Sequence, residues 1–93
     1  MTDLKIVDEE KACYIKDKPI YLTNNEYRLL KYLMQRPNYI FSRKEILDDL
    51  WKDKNVTPKA VDMTIKRLRE KLDKYSKCIL SRSGYGYSFK MCA

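Results

Sequence analysis

TPKAVDMTIKRLREKL, Thr57 to Leu72, carries five basic residues against two acidic ones. Its apolar members Val61, Ile65, Leu68 and Leu72 recur at helical spacing, which at about 100° per residue gathers them on one seam. Lys59, Met63, Lys66, Arg67 and Glu70 fall on the other side. The pattern predicts a helix that buries one edge in a core and presents a largely cationic back to something outside.

The surrounding chain shows what that back is for. Ninety-three residues make one domain with a single modest core. Its net charge of +7 is unevenly placed. Residues 1 to 57 hold 11 Lys and Arg against 10 Asp and Glu, whereas residues 58 to 93 hold 9 against 3. An excess concentrated in one third of a chain is the electrostatic footprint of a polyanion partner. Nucleic acid leads and an anionic membrane surface is the weaker option. No run of about 18 apolar residues could span a bilayer and no signal peptide opens the chain, so the protein reads as cytosolic.

Catalysis finds little support. Histidine, the commonest general base, is absent. There is no Gly-rich phosphate loop, serine elbow or close carboxylate pair. Cys13, Cys78 and Cys92 form no CxxC pair and no zinc set, and they read as reduced structural residues. No metal, cofactor or enzyme activity is expected.

Leu4 to Val7, Ala12 to Ile15 and Ile20 to Leu22 are short apolar-rich runs, parted by the acidic turn Asp8 to Glu10 and a turn at Asp17-Lys18-Pro19. They predict a small antiparallel meander. Thr23-Asn-Asn-Glu26 is a capping box opening a helix from Asn24 to about Arg36, with Leu29, Leu30, Leu33 and Met34 inward. Pro37 and Asn38 stop it. Ser42-Arg-Lys-Glu45 opens a second helix that buries Ile46, Leu47, Leu50 and Trp51. After a polar connector, Thr57 is placed to cap the third helix and Pro58 to occupy its first position, and the helix should run to about Lys74. Asp62 is expected to brace Lys66 four residues on. Cys78 to Arg82 and Tyr87 to Phe89 read as strands joined by Ser83-Gly-Tyr-Gly86. The sum is an α+β domain: three helices, a small N-terminal antiparallel sheet and a C-terminal β-hairpin. Two helices joined by a short connector, the second basic, and then a glycine-tipped hairpin describe a winged helix-turn-helix.

At LTNNEYRLLKYLMQRPNYIFSRKEILDDLW, AVDMTIKRLREKL and SGYGY, the sequence resembles the OmpR/PhoB-type DNA-binding effector domain of bacterial response regulators. The likeness covers nearly the whole chain, and the order and spacing of the three pieces carry it. The resemblance implies a sequence-specific transcriptional regulator with helix 58–74 in the major groove of duplex DNA and wing 78–90 at the minor groove. It also implies cooperative, often head-to-tail, binding of successive copies to direct repeats, and a connector that approaches RNA polymerase, here Lys52, Asp53, Lys54 and Asn55. The family's recognition-helix contacts fall on Lys59, Ala60, Met63, Thr64, Lys66, Arg67 and Arg69.

Lys66 and Arg67 suit guanine edges, and Ala60 and Met63 suit thymine methyls. Lys59, Arg69 and the Trp51 indole N–H suit phosphates. In the wing, Ser81 falls on a phosphate-contacting position and Tyr87 on the terminal aromatic. The arginine that the family places just before the first wing glycine stands one residue earlier, at Arg82, with Ser83 in its place. One residue of displacement turns a strand side chain to the opposite face. Thr64 replaces a frequent histidine, and lysines at 59 and 66 replace arginines, which softens bidentate base reading. The acidic receiver module of such regulators is not in this sequence, so 1–93 is read as the effector domain alone. Two other readings remain: a single-strand or RNA-binding module using the tyrosines, and a protein-interaction winged helix.

Overall fold

The computed structural model describes residues 4–10, 12–52 and 56–90. Three short strands, β1 (Leu4–Val7), β2 (Ala12–Ile15) and β3 (Lys18–Tyr21), form an antiparallel sheet in that order. The pairs Cys13 with Ile6 and Cys13 with Ile20 put apolar side chains in register across it. Pro19 is tolerated because β3 is an edge strand. The β2–β3 turn lies at Lys16 and Asp17, earlier than Asp17-Lys18-Pro19, because Ile15 pairs directly with Lys18. Both turn residues have positive φ, 48° and 69°, the geometry that lets a two-residue hairpin follow strand twist.

Helix α1 (Asn24–Met34) starts at a complete capping box, in which Thr23 accepts from the Glu26 amide and Glu26 accepts from the Thr23 amide. Helix α2 (Arg43–Leu50) starts the same way at Ser42 and Glu45. Helix α3 (Pro58–Leu72) has Pro58 in its first turn, but the Thr57 side chain makes no cap bond. The Thr57 carbonyl instead accepts from the Ala60 amide, in a tight first turn. The helix ends at Leu72, and a 3₁₀ segment, Asp73–Cys78, leads into β4 (Ile79–Arg82). A positive φ at Asp73 breaks the α-helical path that was expected to reach Lys74. β4 pairs with β5 (Gly86–Phe89) to make the C-terminal hairpin.

The core lies where α1, α2 and α3 meet β5 and the inner face of the N-terminal sheet. Leu29, Leu30, Leu33, Ile46, Val61, Ile65, Leu68, Leu72, Ile79 and Phe89 are all nearly or fully buried. Glu26 is buried too, and the Lys71 ammonium meets its carboxylate at 2.5 Å, tying the start of α1 to the end of α3. Burial works against this charge, yet Lys71 and Thr23 hold the Glu26 carboxyl below the usual carboxylate range. Cys13 stands free and buried, its thiol pushed up to about 11 by burial. Cys78 is disulfide-bonded, which departs from the expectation of three reduced thiols.

Phe41 forms an isolated bridge to Tyr87, with reciprocal amide-to-carbonyl bonds of 2.8 and 2.9 Å. The Tyr39 to Phe41 segment thus borders β5 on the side away from β4. Among the described residues no helix is long and apolar enough to cross a membrane.

Candidate nucleic-acid interface

The helix α3 displays the two sides that its sequence demands. Val61, Ile65, Leu68 and Leu72 are buried, while Lys59, Met63, Lys66, Arg67 and Glu70 are exposed. Lys59, Lys66 and Arg67 make no hydrogen bond or ion pair with any described residue. Their charged ends are therefore free for an external acceptor. Met63 is 40% exposed between them, and Ala60 is half-buried.

Other candidates are engaged inside the protein. The Trp51 ring is buried and its N–H donates to Asn25 Oδ1 at 3.2 Å, so it meets a phosphate only by breaking or sharing that bond. Thr64 is buried, with its hydroxyl donating to the Ala60 carbonyl at 2.9 Å. Arg69 spans from α3 to β4: Nη2 donates to the Ile79 carbonyl at 2.8 Å and to Ser81 Oγ at 2.7 Å. Ser81 is otherwise exposed.

Asp62 does not brace Lys66. Its two oxygens are taken by the Tyr87 hydroxyl at 2.5 Å and the Arg43 guanidinium at 3.1 Å. Sequence reasoning offered the local partner; the actual partners lie on α2 and β5 and carry no signal in spacing. Burial, and then this bond to Asp62, push the Tyr87 phenol up from its usual range. The consequence on α3 is that the Lys66 ammonium makes no ion pair with a carboxylate among the described residues.

The hairpin ladder is regular, pairing Ile79 with Phe89, Leu80 with Ser88, Ser81 with Tyr87 and Arg82 with Gly86. With no bulge, Arg82 takes the face opposite Ser81. The turn closes by a 2.9 Å bond from the Tyr85 amide to the Arg82 carbonyl, with Gly84 at a φ of +82° in its third position. Arg82 and Tyr85 are exposed. A cleft lined by Ser42, Arg43, Arg82 and the turn residues runs between the start of α2 and the hairpin. Lys52 is exposed; Asp53, Lys54 and Asn55 lie outside the described residues.

A helix pair with a cationic second helix, flanked by a hairpin pinned against it, defines the winged-helix class. Residues 17–89 match the family "Transcriptional regulatory protein, C terminal". The chain belongs to that family, of OmpR/PhoB type, whose members are DNA-binding domains of transcriptional regulators and not enzymes. It is 33% identical over 93 residues to response regulator ArlR of Staphylococcus saprophyticus, covering 94% of this chain and 42% of ArlR. The crystal structure of the response regulator DrrB, a Thermotoga maritima OmpR/PhoB homolog, superposes with a TM-score of 0.84 at 30% identity, covering 97% of this chain and 42% of DrrB. The chain thus spans less than half the length of these relatives. The DNA-binding domain of AdeR, crystallised with an intercistronic region, has the same fold: TM-score 0.85 at 21% identity, covering 99% and 98% of the two chains.

Proposed function

We propose that this chain binds duplex DNA sequence-specifically to regulate transcription, with α3 in the major groove and the hairpin at the minor groove. The observation that carries this reading is the exposed outward arc Lys59, Met63, Lys66 and Arg67, whose three cations have no polar partner among the described residues, on a helix whose opposite seam is buried. Long cationic donors on such an arc match guanine O6 and N7. The exposed turn Ser83 to Tyr85 on the adjoining hairpin supplies the second contact, whereas Arg82, on the face opposite Ser81 in an unbulged ladder, is turned away from the groove that the resemblance assigned to it. The AdeR domain, whose fold this chain shares, was crystallised with an intercistronic region, which supports the same partner here.

The reading extends to direct-repeat sites occupied by successive copies, to a polymerase contact through connector 52–55, and to action in the cytoplasm. The first two extensions come from the resemblance, and the third from the sequence pattern. A single-strand platform fits the tyrosines less well. Tyr32 donates to Asp49, Tyr39 to Glu45 and Tyr87 to Asp62, and Tyr27 is buried. Only Tyr21 and Tyr85, at 66% and 70% exposure, offer open rings. Selection of bound DNA from a random pool tests the proposal directly. Recovery of no preferred duplex, or tighter binding of single strands, would overturn it.

Two further results are expected. With some four to six phosphates neutralised, log K should fall with log salt at a slope of roughly −4 to −5. A flat response in a salt titration would remove the electrostatic part of the reading. Arg67→Ala should weaken the preferred site by about 1–3 kcal/mol while affecting random DNA less, and Lys66→Ala should act likewise but more weakly. Lys77→Ala, exposed beyond the end of α3, should change little at either. Equal losses on both DNAs for Arg67→Ala would mark that residue as a phosphate anchor.

A further inference from the structure

Asp62 is an acid placed on the helix that the preceding reading sets against a polyanion. It sits one residue before Met63 and four before Lys66, at the border of the exposed arc. A carboxylate there repels phosphate, so its presence calls for a compensating role. Each of its oxygens meets a different element: Oδ1 accepts from Tyr87 on β5, and Oδ2 from Arg43 in the first turn of α2.

Tyr87 is itself held, because its amide and carbonyl both bond to Phe41. Seven residues along α3, two turns on and on the same side, Arg69 grips the other hairpin strand through the Ile79 carbonyl and Ser81. The hairpin is therefore attached to α3 at two separated points, one per strand. A single attachment would let it rock; two fix its angle.

Resting on the DNA-binding reading above, we propose that Asp62 is a positioning residue. Through Tyr87 and Arg43 it sets the hairpin and α2 against α3, and so fixes the offset between the elements that meet the two grooves. Asp62 touches no base in this role. Its effect on recognition passes through Tyr87.

Charge and positioning make opposite predictions. If Asp62 were only a charge near DNA, Asp62→Ala would tighten binding to every duplex. As a positioning residue, its loss should weaken binding to the pool-selected duplex by about tenfold or more, with random duplex of equal length unchanged or bound more tightly. Tyr87→Phe keeps the ring and all formal charges, removes only the hydroxyl, and should weaken the selected duplex in the same direction. The double variant Asp62→Ala/Tyr87→Phe should lose no more than Asp62→Ala alone, because both changes break one link. Asp62→Asn, which retains an acceptor for Tyr87, should recover part of the loss.

Circular dichroism at the binding temperature establishes that each variant is folded, and Tyr87→Phe decides the matter if Asp62→Ala is not. Selected-duplex binding by Asp62→Ala as tight as the parent's would overturn the inference. So would additive losses in the double variant, which would mean that the Tyr87 hydroxyl contacts DNA directly. A parent protein that failed to distinguish selected from random duplex would instead overturn the DNA-reading proposal itself, and this inference with it.

Discussion

Leu68→Ala should lower the free energy of unfolding by about 2–5 kcal/mol, the range for truncating a fully enclosed leucine. Leu68 has no exposed surface and sits between Ile65 and Leu72 on the seam of α3, the helix that packs on both α1 and α2. The surroundings of such a void relax only partially, so the lost contacts are not recovered in full. Domains of this size have only about 5–15 kcal/mol in total, so the variant stands near the limit of folding. The melting temperature should drop by at least about 8 °C, at about 4 °C or more per kcal/mol in so small a domain. Met63→Ala on the same helix is the control, because that side chain is 40% exposed. A melt of Leu68→Ala within a degree or two of the parent would show that the inward face has been misassigned.

Gly86→Ala is the second large effect, and its cause is backbone rather than core. A Cβ at Gly86 would stand 2.0 Å from the Phe41 carbonyl oxygen and 2.8 Å from the carbonyl carbon. No rotamer relieves that contact, since both partners are main chain. The φ of +146° adds strain for any L side chain. To admit the methyl, β5 must move off Phe41, which sacrifices the paired bonds between Phe41 and Tyr87. The combined cost should be about 3 kcal/mol or more. Gly84→Ala isolates the conformational part, because nothing lies within 4 Å of its Cβ position although φ is +82°. Its cost should be nearer 1–2 kcal/mol. Equal denaturant midpoints for the two variants would show that the approach to Phe41 does not matter.

What the amino-acid order revealed was whatever depends on neighbours along the chain. Both capping boxes formed as read, because Thr23 with Glu26 and Ser42 with Glu45 need only three-residue spacing. The seam of α3 was equally legible, since periodicity is local. The β2–β3 turn was displaced because the cue at Lys18-Pro19 looked like a breaker, whereas the left-handed conformations fell on Lys16 and Asp17, neither of them glycine. Thr57 resembled the other caps, but the first turn satisfied itself by the Ala60 amide.

In the candidate interface, the exposed arc of α3 could be read from sequence, while the internal engagements could not. Trp51 finds Asn25, Asp62 finds Arg43 and Tyr87, and Arg69 finds Ile79 and Ser81 only once the chain has folded. No spacing rule links residues so far apart. The i,i+4 expectation for Asp62 and Lys66 describes an isolated helix worth a few tenths of a kcal/mol, too weak to hold the aspartate against two better-placed partners.

The division of labour along α3 bears on transplanting specificity between relatives. Lys59, Met63, Lys66 and Arg67 are exposed, and the three cations among them make no hydrogen bond or ion pair with a described residue, so on the DNA-binding reading these are the positions to exchange. Asp62 and Arg69 are different, being written jointly with Arg43, Tyr87, Ile79 and Ser81. Replacing the entire helix with that of a cousin would import an aspartate or arginine tuned to another hairpin. A graft confined to the four outward positions leaves the frame that aims them untouched.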